Sequence, residues 1–232
     1  MSRTQMKLLV VALMLGVGVQ SRTVRERVLA AAPVDLTRVG AHVMAGYRDP
    51  AEVRLLIARG AVAGVFVTAR NARHLTVEAL AAEIAGFQAL ARQHGHPPLI
   101  IATDQEGGFV SRLSPPLALP PLLSAVVKDK ASANERQAAI AATAGDAARD
   151  LKRVGVTLNF APLADLDFGI RNPADKMSRI GERAIGRSPE LVAEVARSYC
   201  TATSDAGVRC TLKHFPGLGD RKSTRLNSSH RH

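Results

Sequence analysis

Pairs of polar side chains follow three apolar segments of the sequence, and their residue types are those that bind polar ligands or move protons. The pairs are Asp104 with Glu106, Asp165 with Asp167, and Lys213 with His214. Apolar runs without polar alternation are typical of strands in a parallel sheet that is covered on both faces. In parallel α/β folds the chemistry lies at the carboxyl ends of the strands. We therefore expect these pairs to mark the functional edge of such a sheet.

The segment DQEGGFVSRL, residues 104–113, is the first of these sites. Asp104 and Glu106 are two residues apart, so on an extended segment their side chains point the same way. Gly107 and Gly108 allow a backbone or a ligand to approach closely. Arg112 has a guanidinium that can pair with a carboxylate or donate hydrogen bonds to hydroxyl groups. Taken alone, the segment is equally consistent with a structural ion pair that closes a loop.

The elements that must position these residues alternate regularly from about Val39 onward. Strand-like runs lie at 41–47, 63–69, 98–104, 156–165 and 208–215, and helical patterns lie at 50–60, 76–95, 132–155 and 188–207. The last three helical patterns begin at Thr or Ser, which are preferred N-cap residues, and end near Gly, which is preferred after the last turn. Strand and helix in strict succession predict crossover units on a parallel sheet.

Composition limits the classes of protein and partner. The chain has 232 residues, 47% of them hydrophobic, and a formal net charge of +11. Its arginines are spread along the whole length, so we expect no nucleic-acid partner; a nucleic-acid binder remains an alternative, whose affinity would fall steeply with salt. Cys200 and Cys210 have neither metal-site spacing nor a disulfide framework and are interpreted as two buried thiols. No metal or organic cofactor is expected.

The N-terminal residues 1–32 are interpreted as a possible signal peptide or anchor. Arg3 and Lys7 precede an apolar run from Leu8 to Val19, which is the length of a signal-peptide core and short for a membrane span. The alternative is a buried strand or helix of the domain. The first interpretation predicts export to the periplasm or the cell exterior, with membrane contact only if the segment stays as an anchor; the alternative allows a cytoplasmic location.

Four ordered segments carry a resemblance to a known family. They are IATDQEGGFVSRL, GVTLNFAPLADLDF, IGERAIGRSPELVAEVARSYCTA and GVRCTLKHFPGLGD. In order and spacing they resemble the N-terminal barrel domain of glycoside hydrolase family 3, in particular its bacterial β-N-acetylhexosaminidase branch. The resemblance implies a (β/α)8 TIM-type barrel, of which residues 33–219 would supply about five strand–helix units. It also implies a retaining exo-glycosidase that cleaves terminal β-linked N-acetylhexosamine, from a glycoside or a sugar derived from the cell wall.

The resemblance also implies the residues that bind substrate. Asp104 would accept hydrogen bonds from sugar hydroxyls, and Arg112 would support the same corner of the pocket. Arg183 would face the sugar, and Lys213 and His214 would donate to its hydroxyls. Alternatives remain open: His214 as a core histidine, and Arg183 with Glu182 as a solvated pair. Asp165 and Asn159 are expected to be structural.

Two departures from the branch leave its substrate open. Leu218 stands where the branch usually has His, and Phe109 where it commonly has Arg. A β-glucosidase of the same family is therefore an alternative, and a non-catalytic sugar-binding module is another.

The family's catalytic residues are expected beyond Gly219. In the branch, an acid/base His follows the KHFPG turn and a nucleophilic Asp comes later. Residues 220–230, DRKSTRLNSSH, read instead as the in-frame translation of a sequencing adapter, so we expect 220–232 to be a non-native, unstructured tail. The family activity is glycoside hydrolysis, and this 232-residue chain is itself predicted to be inactive.

Overall fold

The structure is a computed structural model that describes residues 33–128, 130–169 and 178–219. Within these ranges, a parallel sheet of five strands carries helices in the crossovers between its strands. The predicted segments 1–32 and 220–232 lie outside the described residues, as does the apolar run Leu8 to Val19. Among the helices of the described part, none is long and apolar enough to cross a membrane.

The sheet strands are short and lie in the order β1-β2-β3-β6-β7. Their bounds are β1 Met44–Gly46, β2 Gly64–Phe66, β3 Ile100–Thr103, β6 Leu158–Asn159 and β7 Arg209–Cys210. A separate antiparallel hairpin follows β3 and consists of β4 Gln105–Gly107 and β5 Val110–Ser111. Every neighbour in the five-stranded sheet is parallel, so the sheet has the strand order of a TIM-like α/β fold but is not a closed barrel.

The helices occupy the crossovers and the loops beside them. Their bounds are α1 Pro33–Gly40, α2 Pro50–Ala58, α3 Ala69–Ala72, α4 Val77–Gln93, α5 Leu123–Lys128, α6 Ala133–Arg153, α7 Ile180–Arg183 and α8 Pro189–Asp205. All five predicted strands and all four predicted helices are present. The sequence analysis did not predict α1, α3, α5, α7 or the β4–β5 hairpin, which are short or lack a clear periodic pattern.

The predicted helix caps explain why the long helices begin and end where they do. The side chains of Thr76, Ser132 and Ser188 accept hydrogen bonds from backbone N–H groups in the first turns of α4, α6 and α8. Ser132 also forms a capping box with Glu135. Beyond the helix ends, Gly95, Gly155 and Gly207 adopt positive φ, which glycine tolerates without a Cβ clash.

The main core lies between the sheet and the helices. Val65 and Ile101 of the sheet pack with Leu80, Ile84 and Phe87 of α4, and each of these side chains is at most 1% exposed. A second cluster joins α6 to α8 through Ile140, Val195 and Tyr199. These two clusters fix the helices behind the sheet and leave its carboxyl edge to the polar residues.

The prediction of two buried thiols is wrong. Cys200 near the end of α8 and Cys210 at the end of β7 form a disulfide with a Cα–Cα distance of 5.4 Å, and both residues are only half-buried. They are ten positions apart in the sequence, and the turn after α8 reverses the chain and brings β7 back along the helix. Sequence spacing alone did not show this reversal.

Candidate functional site

The site is built on the strand ends that the sequence predicted. Asp104 directly follows β3, and Lys213 and His214 lie a few residues after β7. Lys213 also forms an isolated parallel bridge with Leu163. Between β3 and β7 lies β6. Parallel pairing therefore brings side chains that are about 110 positions apart in the chain to the same edge of the sheet.

The hairpin β4–β5 holds the acidic residues against this edge. Its backbone returns so that the N–H of Arg112 donates to the carbonyl of Asp104 at 2.9 Å. At the end of β4, Gly107 has a φ of +109°, and a Cβ there would lie 2.0 Å from the carbonyl oxygen of Pro121. Only glycine allows the hairpin to pack this closely on the 120–122 loop.

A connected ionic cluster forms the centre of the site. The Nζ atom of Lys213 lies 2.5 Å from Oδ1 of Asp104 and 2.5 Å from Oε1 of Glu106. Arg183 donates to the other side of Glu106 in a two-point pair, from Nε to Oε2 at 2.9 Å and from Nη2 to Oε1 at 2.5 Å. Glu106 thus joins Asp104, Arg183 and Lys213, which were predicted from three separate segments, in one network.

Burial within the cluster is graded. The side chains of Glu106 and Arg183 are 5% and 6% exposed, whereas those of Lys213 and Asp104 are 15% and 22% exposed. Two carboxylates and two cations balance in charge, which a buried group of ions requires. The inner pair therefore supports the site from beneath, and Asp104 and Lys213 present polar atoms at its surface.

Arg183 lies at the end of α7 and is buried beneath the site, so its predicted contact with the sugar remains a prediction. Arg183 ends this four-residue helix and also donates from Nη1 to the carbonyl of Ser178 at 2.6 Å. Glu182, its neighbour, pairs with Arg179 on the exposed side of the segment. The alternative of a solvated Arg183–Glu182 pair is thus not what the structure shows.

His214 occupies a second cluster beside the first. Its Nδ1 atom lies 2.6 Å from Oδ2 of Asp165, and the backbone N–H of Leu218 donates to Oδ1 of Asp165 at 2.6 Å. The Asp165 side chain is fully buried and that of His214 is 31% exposed. Burial by itself would raise the pKa of Asp165, but the hydrogen bonds from His214 and Leu218 outweigh it and hold this pKa below its usual value.

Asp165 therefore fixes the KHFPG turn, which agrees with its expected structural role. It binds both His214 and the backbone four residues later. The peptide bond between Lys213 and His214 is cis, as is the bond between Phe215 and Pro216. His214 is an anchored rim residue rather than a core histidine.

Arg112 is separate from the cluster. Its side chain is exposed, while the described partner of the Asp104 carboxylate is Lys213. Its predicted contact with the sugar remains a prediction.

Aromatic rings lie near the site, although the chain contains no Trp. Phe215, in the turn after His214, is 99% exposed. Phe109, at the tip of the hairpin, lies under the guanidinium of Arg179, 3.9 Å from its ring centroid. The sequence analysis noted Phe109 only as a departure from the family pattern.

The described residues contain no group of three or more His, Cys, Asp or Glu side chains arranged to hold a metal ion. The carboxylates of the ionic cluster are already neutralised by Lys213 and Arg183. The arrangement is suited to binding a neutral polar molecule, with Asp104 as an acceptor and Lys213 and His214 as possible donors.

The parallel sheet, the crossover helices and the polar cluster at the carboxyl edge define a TIM-like α/β protein. Comparison with known proteins specifies it further. The glycosyl hydrolase family 3 N terminal domain matches residues 24–230, and the chain belongs to this family. That match extends past Gly219 into the segment that the sequence analysis set aside as foreign.

Curated relatives are similar over most of the chain. A beta-hexosaminidase from Xanthomonas axonopodis pv. citri is 37% identical over 180 residues, which are 76% of this chain and 49% of that protein. A beta-hexosaminidase from Methylococcus capsulatus is 34% identical over 177 residues, with 76% and 48% covered. The chain thus spans about half the length of the curated relatives it matches.

Solved structures show the same similarity. A glycoside hydrolase family 3 beta-N-acetylglucosaminidase from Paenibacillus sp. superimposes with a TM-score of 0.67 at 32% identity, covering 80% of this chain and 34% of that one. NagZ from Neisseria gonorrhoeae in complex with N-trifluoroacetyl-D-glucosamine has a TM-score of 0.67 at 30% identity, with 77% and 50% covered. These similarities confirm the predicted family and the TIM-like fold.

Proposed function

We propose that this chain carries the sugar-binding part of a retaining exo-glycosidase that acts on terminal β-linked N-acetylhexosamine. The observation that carries the proposal is the ionic cluster of Asp104, Glu106, Arg183 and Lys213 at the carboxyl edge of the sheet. Three of the predicted ligands of the sugar, Asp104, Arg183 and Lys213, meet there next to the anchored His214, whereas Arg112 is separate.

The geometry supports recognition of a neutral sugar. Asp104 has a second carboxylate oxygen beyond the one bonded to Lys213, and Lys213 is an ammonium with three donors in all. Charge-assisted hydrogen bonds to hydroxyls are stronger than neutral ones and give strong discrimination when the site is desolvated. The inner Glu106–Arg183 pair keeps these groups in place before a sugar arrives.

The choice of an N-acetylated sugar is supported by the relatives. Those with 34–37% identity are called beta-hexosaminidases, and one solved relative was crystallised with an N-acylated glucosamine. Leu218 and Phe109 depart from the branch pattern and favour keeping a β-glucosidase as the second candidate.

The test is a comparison of sugar binding by the 232-residue chain. N-acetylglucosamine and glucose are titrated in turn, and binding is followed by calorimetry and by saturation-transfer NMR. We expect binding of N-acetylglucosamine in preference to glucose. The variant Asp104→Ala should weaken it by about tenfold or more, because a charge-assisted hydrogen bond is lost.

The matched control is Asp146→Ala on α6. This change also removes one carboxylate, but Asp146 is exposed and pairs only across the surface with Arg149 in the described contacts. Its sugar affinity should equal that of the unmodified chain. Binding of neither sugar would overturn the proposal, and a preference for glucose would replace the hexosaminidase with the β-glucosidase.

We further propose that the protein is exported. The apolar N-terminal run supports this, and so does the Cys200–Cys210 disulfide, because disulfides persist mainly in oxidising compartments. Expression in a bacterial host and mass spectrometry of the periplasmic and cytoplasmic fractions is the test. Recovery of the chain only from the cytoplasm, with free thiols, would contradict export.

A further inference from the structure

Asn159, the last residue of β6, forms two hydrogen bonds with the backbone of Gln105, between the two acidic residues of the site. Its Oδ1 accepts from the N–H of Gln105 at 2.9 Å, and its Nδ2 donates to the carbonyl of Gln105 at 2.9 Å. An amide carries an acceptor and a donor side by side, so the single Asn159 side chain can make both bonds. Asn159 is completely buried, so water does not compete for them.

Gln105 lies between Asp104 and Glu106, so the two hydrogen bonds from Asn159 to its backbone set the direction of both carboxylates. The side chain of Gln105 is also fixed, since its Oε1 accepts from the N–H of Leu113 at 3.0 Å and its Nε2 donates to Ser114 Oγ at 2.7 Å. The backbone of Gln105 is therefore held by Asn159, and its side chain is held by Leu113 and Ser114, which follow the hairpin. Rotation of this peptide unit would turn Asp104 and Glu106 away from Lys213.

The orientation of the Asn159 amide is itself fixed from behind. Nδ2 also donates to the phenol oxygen of Tyr199 on α8 at 3.0 Å. Burial raises the pKa of the Tyr199 phenol above its ordinary value, so the ring stays neutral over the whole working range of pH. The pairing of Thr103 with Asn159 in the sheet places the amide at the level of Gln105.

We propose that Asn159 is a positioning residue of the sugar site, which acts by holding the Gln105 peptide so that Asp104 and Glu106 share the Lys213 ammonium. Asn159 itself contacts neither carboxylate in the described hydrogen bonds. For its sugar-binding readout, this inference rests on the proposed function. It assigns a role in the site to a residue that the sequence indicated as structural.

The chain contains a matched control for the two hydrogen bonds between the Asn159 amide and the Gln105 backbone. Gln88 on α4 makes the same two bonds to Leu99, just before the other end of β3, from Nε2 to the carbonyl at 2.9 Å and from the N–H to Oε1 at 2.9 Å. Gln88→Ala and Asn159→Ala therefore remove equivalent hydrogen bonds from opposite ends of one strand. Only the second lies next to the site.

The experiment compares these two variants with the unmodified 232-residue chain. Thermal unfolding measures stability, titration with N-acetylglucosamine measures binding, and ¹⁵N NMR observes the Lys213 ammonium, whose protons are protected by two carboxylates. Both variants should unfold at lower temperature. Asn159→Ala alone should weaken sugar binding by about tenfold and broaden the Lys213 signal beyond detection, because misaligned charged partners lose their hydrogen bonds.

A milder variant covers the case in which Asn159→Ala does not fold. Tyr199→Phe keeps the ring and removes only the oxygen that accepts from Asn159, and we expect faster exchange of the Lys213 ammonium protons with about a threefold loss of affinity. An unchanged Lys213 signal in the folded Asn159 variant, or in Tyr199→Phe if the former does not fold, would overturn the inference. Equal effects of Gln88→Ala and Asn159→Ala on that signal would also overturn it. Because the signal needs no sugar, failure of the unmodified chain to bind N-acetylglucosamine would reject the proposed function alone.

Discussion

At the scale of single residues, Glu106 is the side chain on which the ionic cluster depends. It binds Arg183 at two points and Lys213 at a third, with 5% of its side chain exposed. In Glu106→Gln the carboxylate charge is lost and two cations stay in place. We expect the free energy of unfolding to fall by about 3 kcal/mol, the usual cost of leaving a buried ion without its partner. Urea denaturation at neutral pH measures it.

Glu194→Gln is the control for that change. Glu194 also forms a two-point pair with an arginine, Arg136, at 3.0 and 2.9 Å, but both side chains are more exposed. Its loss should be clearly smaller, since solvent screens the pair. Equal losses for the two variants would show that burial adds nothing to the Glu106 pair.

Asp165 is a specific reason to expect that the free energy of unfolding decreases at acid pH. Its pKa is lowered in the folded protein, so the unfolded chain binds a proton more readily. Its contribution is complete above the unfolded pKa of about 4 and is lost as the pH falls through the lower folded value. We expect urea midpoints to decline below about pH 4, and Asp165→Asn to be less stable at neutral pH with a weaker acid decline. Identical acid profiles for the two proteins would contradict this assignment.

The sequence predicted most of the residues of the site, but not how they connect. Asp104, Lys213 and His214 were predicted from strand ends and from family resemblance, because their types follow apolar runs. Glu106 was expected beside Asp104 at the functional edge of the sheet, but not among the residues that bind the sugar. The sequence did not indicate that Glu106 would join Arg183 to Lys213. That contact depends on the hairpin turn and on α7, which have no periodic pattern.

At the scale of elements, the disulfide joins α8 to β7, the strand that leads to Lys213 and His214. Cys200 and Cys210 close a short loop, and such a crosslink limits the unfolded chain. Reduction, or the double change Cys200→Ser with Cys210→Ser, should lower the free energy of unfolding by about 2–3 kcal/mol. Urea titrations with and without reductant measure it.

The double serine variant also controls for the reductant. Reductant should shift the urea midpoint of the unmodified chain and leave that of the variant unchanged. Alkylation of both cysteines in the untreated, folded protein would show that the crosslink does not form.

Long elements were predictable and short ones were not. The caps at Thr76, Ser132 and Ser188 lie where hydroxyl residues precede amphipathic runs, so composition and period agree. The hairpin β4–β5 has only five residues in strands and contains Gly107 and Gly108. Its shape is determined by packing on the 120–122 loop, which local propensity does not reveal.

At the scale of the whole molecule, the strand order follows directly from the alternation of strands and helices. Consecutive strands are usually neighbours in a sheet, and the order β1-β2-β3-β6-β7 of the parallel sheet follows the chain. The register between strands was not predictable, because each pair is joined by only two or three residues. Yet the β3–β6 register is what places Asn159 beside Gln105.

Sugar binding and cleavage of the glycosidic bond require different groups of the protein. A retaining glycosidase needs a nucleophile and an acid/base group that flank the bond to be cleaved. In the described residues of the site, Asp104 and Glu106 approach the same Lys213 ammonium, and Glu106 is buried against Arg183. Both carboxylates thus lie on one side of the cluster and are neutralised there, so neither can act opposite the other.

We therefore expect the 232-residue chain to bind N-acetylglucosamine without hydrolysing an aryl β-N-acetylglucosaminide. Release of the aryl group is followed by absorbance over hours, with the aryl β-glucoside in parallel and a full-length beta-hexosaminidase relative as the positive control. Turnover that disappears in Asp104→Ala would show that the residues present suffice for chemistry. Sugar binding without turnover would place the nucleophile and the acid/base group outside the described cluster, as the family resemblance implies.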